Sequence, residues 1–249
     1  MKNKAVFFDL YQTLIDIDAA NEKSNTKLGF ETIIAPYLQE KGASRTEALL
    51  VLSHYSDEVK AFYEKNNIKQ YQHNFRTILM AVFDNYYKVT ASNEEINDLI
   101  YEFRKISRGY LKIYNGVSNM LATMSRDYTL IVASHTQGVY SERELEDLGI
   151  RKYFKHCVYS SDIGYKKTAN EFYQACLEIA GLEAKDCVMI GDNLSEDVSM
   201  AHQNGIHTIW IISPLTKDIY PATVEPDAQL PLELIKSLPD IVRKVWKSK

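Results

Sequence analysis

The sequence lacks the features that mark several large classes of protein. Its three cysteines, Cys157, Cys176 and Cys187, are an odd number without metal-type spacing. Neither a disulfide framework nor a cysteine metal site is expected, and reduced thiols in the cytoplasm are. The longest uninterrupted apolar run, Ile78 to Phe83, is six residues against the roughly 18 needed to cross a bilayer, so no membrane span is expected. Near the N-terminus, Asp9 cuts off the run Ala5-Val6-Phe7-Phe8 after four residues, short of the about 7 to 15 of an export signal. Positive charge is not in excess either: 29 Lys and Arg stand against 33 Asp and Glu, a net charge of −4. That balance argues against nucleic acid or an anionic membrane surface as a partner. No internal repeat or low-complexity tract is visible, and nothing indicates an oligomeric state.

What the chain does have is 249 residues, 45% of them hydrophobic, enough for one large or two modest domains with a real core. Strand-length apolar runs recur at Ala5 to Phe8, Leu130 to Ala133, Cys157 to Tyr159, Cys187 to Ile190 and Thr208 to Ile212, and read as buried parallel strands. Between the last four lie helical segments with capping-box starts at Ser141-x-x-Glu144 and Thr168-x-x-Glu171, and stops at Gly149, Gly181 and Gly205. Strands alternating with helices predict an α/β fold, a three-layer Rossmann-like parallel sheet.

From about Asp16 to Leu111 the alternation stops. Capping boxes at Ser44-x-x-Glu47 and Ser92-x-x-Glu95 and long periodic stretches predict an all-helical insertion after strand one. Residues 1–15 and 112–249 would then form the core and 16–111 a helical cap. The aromatics of this block (Tyr55, Phe62, Tyr63, Tyr71, Phe75, Phe83, Tyr86, Tyr87, Tyr101, Phe103) are expected to pack its interior.

In an open parallel sheet, ligands sit in the crevice outside the carboxyl ends of the strands. Four of the five predicted strand ends carry polar residues suited to chemistry: Asp9 to Thr13, Ser134, Asp162 to Lys167, and Asp192. A carboxylate, a hydroxyl, an ammonium and a second carboxylate would converge there. Asp9 directly after four apolar residues is a costly strand terminus without a partner. His135 beside Ser134 does not make a serine hydrolase, since strand neighbours point to opposite faces and no G-x-S-x-G surrounds them. His54, His73, His156, His202 and His207 show no metal spacing and read as structural.

Taken together, these residues resemble the haloacid dehalogenase-like hydrolase superfamily, whose four signatures lie at strand ends in the same order. Phe7-Phe8-Asp9-Leu10-Tyr11-Gln12-Thr13-Leu14 is similar to hhhDxDxT, and Ile131 to Ser134 to a strand ending in Ser or Thr. Gly164 to Asn170 is similar to GxxKPxP with Lys167 as its lysine, and Gly191 to Asp197 to GDxxxxD. The resemblance implies a hydrolase of the capped subgroup, acting on a small phosphorylated metabolite. Asp9 would be the nucleophile that forms an aspartyl-phosphate, dividing one displacement into two. A carboxylate attacks an anionic phosphoryl group only with cationic help, which implies Mg²⁺ held by Asp9, Asp192 and the backbone carbonyl of Tyr11. Thr13, Ser134 and Lys167 would bind substrate, the last two steadying the transferring group. Asp197 would orient Lys167 or metal-bound water.

The departure is Tyr11, where family phosphatases place the Asp that protonates the leaving oxygen. Such help is typically worth about 10² to 10⁴-fold, so slow turnover or a bias toward good leaving groups is expected. Tyr at this position also resembles the 2-haloacid dehalogenases, in which Asp attacks carbon without metal. The positions that correspond to their Ser-x-Asn-x-x-Asp pattern are Asp192, Leu194 and Asp197, so its Ser and Asn are missing, and Arg45 is the one early-cap arginine on offer for a substrate carboxylate. A member that binds phosphorylated ligands without turnover is the third alternative. Basic cap residues Lys23 and Lys27 could meet an anionic substrate.

Overall fold

Strand β1 (Ala5–Phe8) has no polar position, as befits a strand covered on both faces. The computed structural model places it inside a six-stranded parallel sheet. The structure describes residues 3–18, 20–216 and 223–247. Following β1 are β2 (Ile15–Ile17), β3 (Leu111–Ile113), β4 (Thr129–Ser134), β5 (His156–Tyr159), β6 (Cys187–Gly191), β7 (His207–Ile212) and β8 (Ala228–Pro231). The sheet order is β5-β4-β1-β6-β7-β8, with Phe8 in register with Val132 on one side and Ile190 on the other. The carboxyl ends of β1, β4 and β6 therefore lie side by side.

The two-residue period of each strand divides its side chains between two cores. Val6 and Phe8 join Leu130, Val132, Val188 and Ile190 on one face, under the helices Val117–Asp127 and Leu238–Lys247. Ala5 and Phe7 join Ile131, Ala133 and Met189 on the other, under the helix Asn170–Ala180 with Phe172, Tyr173 and Cys176. This is the three-layer α/β architecture. The sixth strand, β8, has no counterpart among the expected five. Its sequence Ala-Gln-Leu-Pro carries little alternation, and its terminal Pro is tolerated because the strand lies at the sheet edge.

Between β2 and β3 lies the helical cap, with a core of its own around Phe30, Ile34, Leu38, Tyr55, Phe75, Leu79, Phe83, Ile100 and Phe103. Both capping boxes expected there are formed, at Ser44/Glu47 and Ser92/Glu95. Not every aromatic is interior. Tyr86 is exposed and stacks on His54 at 4.0 Å. The block is also not helical to its ends: β2 and β3 pair antiparallel, Ile15 with Ile113 and Ile17 with Leu111, as a ribbon through which the chain leaves and re-enters the core. Strands of three residues are too short to leave a period-two signature.

Two expected capping boxes in the core are overturned. The helix Gly138–Asp147 starts after Gln137, so Ser141 and Glu144 lie inside it and are fully buried. The helix Asn170–Ala180 starts after Ala169, and Thr168 and Glu171 face the cap instead. Thr168 Oγ1 donates to the Lys69 carbonyl (2.6 Å), and Glu171 accepts from Gln70 Nε2 (2.9 Å). Around them the cap loop and the core form a clasp. Gln72 N donates to Gly164 O (2.8 Å), Lys166 N to Gln70 O (2.9 Å), and Asn74 Nδ2 to Ser161 O (3.3 Å). Gln137 completes it, accepting from Phe75 N (2.7 Å) and donating to His73 O (3.0 Å).

Candidate active site

Asp9 follows the last residue of β1, and its amide donates to Ile190 O on β6 (2.9 Å), which pins it between the two strand ends. Its Oδ1 accepts from Ser134 Oγ at the end of β4 (3.1 Å) and from Lys167 Nζ (2.6 Å). Lys167 is almost wholly buried and also donates to Asp197 Oδ1 (2.7 Å). Asp197 is fixed in turn by Asn193 N (3.0 Å to Oδ2). Asn193 caps the following helix, its Oδ1 accepting from the amides of Ser195 and Glu196 at 3.0 Å each.

Asp192, just past β6, completes the cluster: one carboxylate oxygen from each of Asp9, Asp192 and Asp197 lies within 4.8 Å of the others. Burial raises the pKa of Asp9 above the usual carboxylate range; Lys167 opposes this, and the carboxylates of Asp197 and Asp192 add to it. Asp192 is raised as well, by burial first and then by Asp197. Burial alone would lower the Lys167 pKa, but Asp197 and Asp9 outweigh it and keep the ammonium charged. Three buried carboxylates around one lysine leave an excess of negative charge that a hard cation would relieve.

These groups line a cavity of about 390 Å³ together with Tyr11, Gln12, His135, Asn193 and Glu196. A larger one of about 660 Å³ runs past the β5 edge and contains none of them. Asp9, Tyr11, Ser134, Lys167, Asp192 and Asp197 are thus brought together. Thr13 is not. It is fully buried, and its Oγ1 donates to Asp192 Oδ1 (3.0 Å); it orients a carboxylate from behind rather than facing the cavity. Lys23, Lys27 and Arg45 are exposed on the cap, away from the cavity lining.

The Tyr11 hydroxyl is engaged elsewhere. It donates to Glu144 and lies 2.9 Å from Ser141 Oγ, and burial, then the Glu144 charge, pushes its pKa well above the ordinary value. Glu144 also accepts from two arginines of the cap side, Arg104 Nε (2.9 Å) and Arg108 Nη1 (3.2 Å), and the Arg104 guanidinium lies 5.3 Å from the centre of the Tyr11 ring. Sequence reasoning missed this network. It also missed His135 as a crevice residue: Nδ1 lies 3.0 Å from Glu196, and Nε2 lies 3.0 Å from Gln72 Oε1 of the cap. The Ser-His adjacency was the available signal, read there against a serine hydrolase alone.

Comparison with known proteins bears on residues 6–211, which match the family model described as haloacid dehalogenase-like hydrolase. N-acylneuraminate-9-phosphatase of Rattus norvegicus is 24% identical over 220 residues, 84% of this chain and 82% of that protein. Pyrimidine 5'-nucleotidase PynA of Streptococcus pneumoniae is 26% identical over 211 residues, 83% of each. Among solved structures, 2-haloacid dehalogenase from Pseudomonas syringae pv. tomato superposes with a TM-score of 0.67 at 23% identity, over 97% of this chain and 98% of that one. At that identity the likeness is one of fold.

Proposed function

This chain belongs to the haloacid dehalogenase-like hydrolase family, and on that premise we propose that it is a Mg²⁺-dependent phosphatase of a small phosphorylated metabolite. The observation that carries this reading is the cluster of Asp9, Asp192 and Asp197 around Lys167. A metal-independent attack on carbon has no use for that much buried negative charge. The relatives named for phosphatase and nucleotidase activity support the same substrate class.

Asp9 and Asp192, with the Tyr11 carbonyl, are the oxygen donors that would hold Mg²⁺. When bound, the ion neutralises the anionic nucleophile and the phosphoryl oxygens it approaches. Asp9 attacks phosphorus, the bond to the leaving oxygen breaks, and an aspartyl-phosphate remains. Water then attacks phosphorus, releasing inorganic phosphate and restoring the Asp9 carboxylate. Ser134 hydrogen-bonds a phosphoryl oxygen, and Lys167, held by Asp197, supplies positive charge beside the nucleophile. Because the Tyr11 hydroxyl is committed to Glu144 and Ser141, the leaving oxygen takes its proton from solvent, and acyl, aryl and pyrophosphate leaving groups are favoured.

Phosphate release from acyl, aryl, nucleotide and sugar phosphates tests this, with and without Mg²⁺ and beside Asp9→Asn. Release should require Mg²⁺, stop on addition of EDTA, return with excess Mg²⁺, and fall to background in the variant. Metal-independent halide release from a 2-haloacid would overturn the reading.

A further inference from the structure

Gln12 stands in the turn that follows the nucleophile, and its backbone is unusual for its residue type. Its φ of 62° lies in the left-handed region, shared among the described non-glycine residues with Lys88 alone. Glycine or asparagine takes this conformation at less cost. Gln12 is held there by the turn, its amide donating to Ile15 O (2.9 Å) while Thr13 N donates to Leu10 O (3.4 Å).

The side chain adds a second cost. It is 9% exposed, and its Oε1 accepts from the Tyr114 hydroxyl (3.0 Å), which fixes the orientation of the amide. Its Nε2 is buried and has no hydrogen-bond partner among the described residues. The same residue lines the cavity that contains Asp9 and Asp192. Neither carboxylate takes the free donor, since no acceptor of the described residues lies within hydrogen-bond reach of it. A leucine or methionine would fill the space without stranding an N–H, and a glycine would relax the backbone. Strained backbone and an unsatisfied buried donor at one residue of an active-site crevice point to a ligand that supplies the missing partner.

We propose that the Gln12 side-chain amide is a substrate-recognition donor, its Nε2 meeting an acceptor oxygen of the bound phosphate ester. Tyr114 presents the amide in that orientation. The proposal rests on the phosphatase reading and deepens it: the acceptor is either a non-bridging phosphoryl oxygen or a hydroxyl oxygen of the leaving group.

Wild type, Gln12→Gly, Gln12→Asn and Tyr114→Phe are compared in three measurements. These are the unliganded thermal midpoint, the rise in midpoint given by inorganic phosphate with Mg²⁺, and kcat and KM for p-nitrophenyl phosphate and glycerol 2-phosphate. Gln12→Gly should keep the unliganded midpoint near that of wild type, because the strain and the stranded donor disappear while the half-buried Tyr114 hydroxyl exchanges its Gln12 acceptor for water. Its kcat/KM for glycerol 2-phosphate should fall by about 10- to 100-fold, the scale of one hydrogen bond to a charged or developing-charge group. A smaller phosphate-induced rise would identify a phosphoryl oxygen; a retained rise with loss confined to glycerol 2-phosphate would identify the leaving group. Gln12→Asn, which tolerates the left-handed backbone but is one methylene shorter, should lose in the same direction, and Tyr114→Phe should lose less. A Gln12→Gly protein with wild-type kcat/KM on both substrates overturns the proposal and leaves the phosphatase reading standing. A wild type with neither hydrolysis nor stabilisation by phosphate overturns both.

Discussion

Gly191 has no side chain because Asp197 occupies the space one would need: a Cβ there would lie 2.1 Å from Asp197 Oδ2. Since Asp197 holds Lys167 (2.7 Å) and Lys167 holds Asp9 (2.6 Å), this one absence sets the whole row. Gly191→Ala should displace Asp197, lower stability by about 1 to 3 kcal/mol as overpacking does, and cut kcat more than it raises KM; steady-state kinetics beside a denaturant titration checks both. His73 makes a second prediction. Burial, with Lys166 adding to it, lowers its pKa to about 4, and Tyr55 and Tyr63 hold the ring at 3.3 and 3.0 Å. The folded value is below the unfolded one of about 6.5, so the neutral ring is the stabilised form. Its contribution is whole above about pH 6.5 and is lost as pH falls through about 4. The thermal midpoint of His73→Gln should therefore fall less than that of wild type between pH 7 and pH 4.

At the scale of elements, local signals were trustworthy where nothing distant competed with them. Ser92 and Glu95 cap the helix that follows them, Asn93–Ser107, and Ser92→Ala should cost about 1 kcal/mol, measurable by chemical denaturation. Ser141 and Glu144 have the same spacing, yet Tyr11, Arg104 and Arg108 claim them from 130, 40 and 36 residues away. No local pattern records such partners. The site was legible for the same reason in reverse: Asp9, Ser134, Lys167 and Asp192 each sit just after a recognisable strand or turn, and parallel register brings those ends together. Thr13 lies on the expected turn but donates to Asp192 from behind, a direction that sequence does not record. The β2–β3 ribbon is too short to show a period, and β8, Ala-Gln-Leu-Pro, too weakly apolar to read as a strand. At the ribbon's exit, Gly109 is left-handed (φ 64°), and a Cβ would approach Asp18 Cβ to 2.8 Å. Gly109→Val should therefore raise the hydrogen-exchange rate of the β2–β3 amides.

At the scale of the whole molecule, the cap is fastened to the core along more than its two linkers. The backbone pairing of Tyr71 with Tyr165 and its flanking side-chain bonds form one seam beside Lys167. The buried Arg104–Glu144 pair forms a second beside Tyr11. Replacing Arg104 by Met removes one of the two guanidiniums that face Glu144 and leaves Arg108 (3.2 Å) to hold its charge; a fall of about 1 to 3 kcal/mol in unfolding free energy is expected. Two cores joined in this way do not melt as strangers. Calorimetry of the wild type should give a single endotherm whose van't Hoff and measured enthalpies agree. Gln70→Ala and Thr168→Val together remove two side-chain bonds of the first seam while its backbone pairs and the second seam remain, and should lower the midpoint and bring the van't Hoff enthalpy below the measured one. Heat capacity would then report directly on how tightly the buried Lys167 is tied to the helical cap.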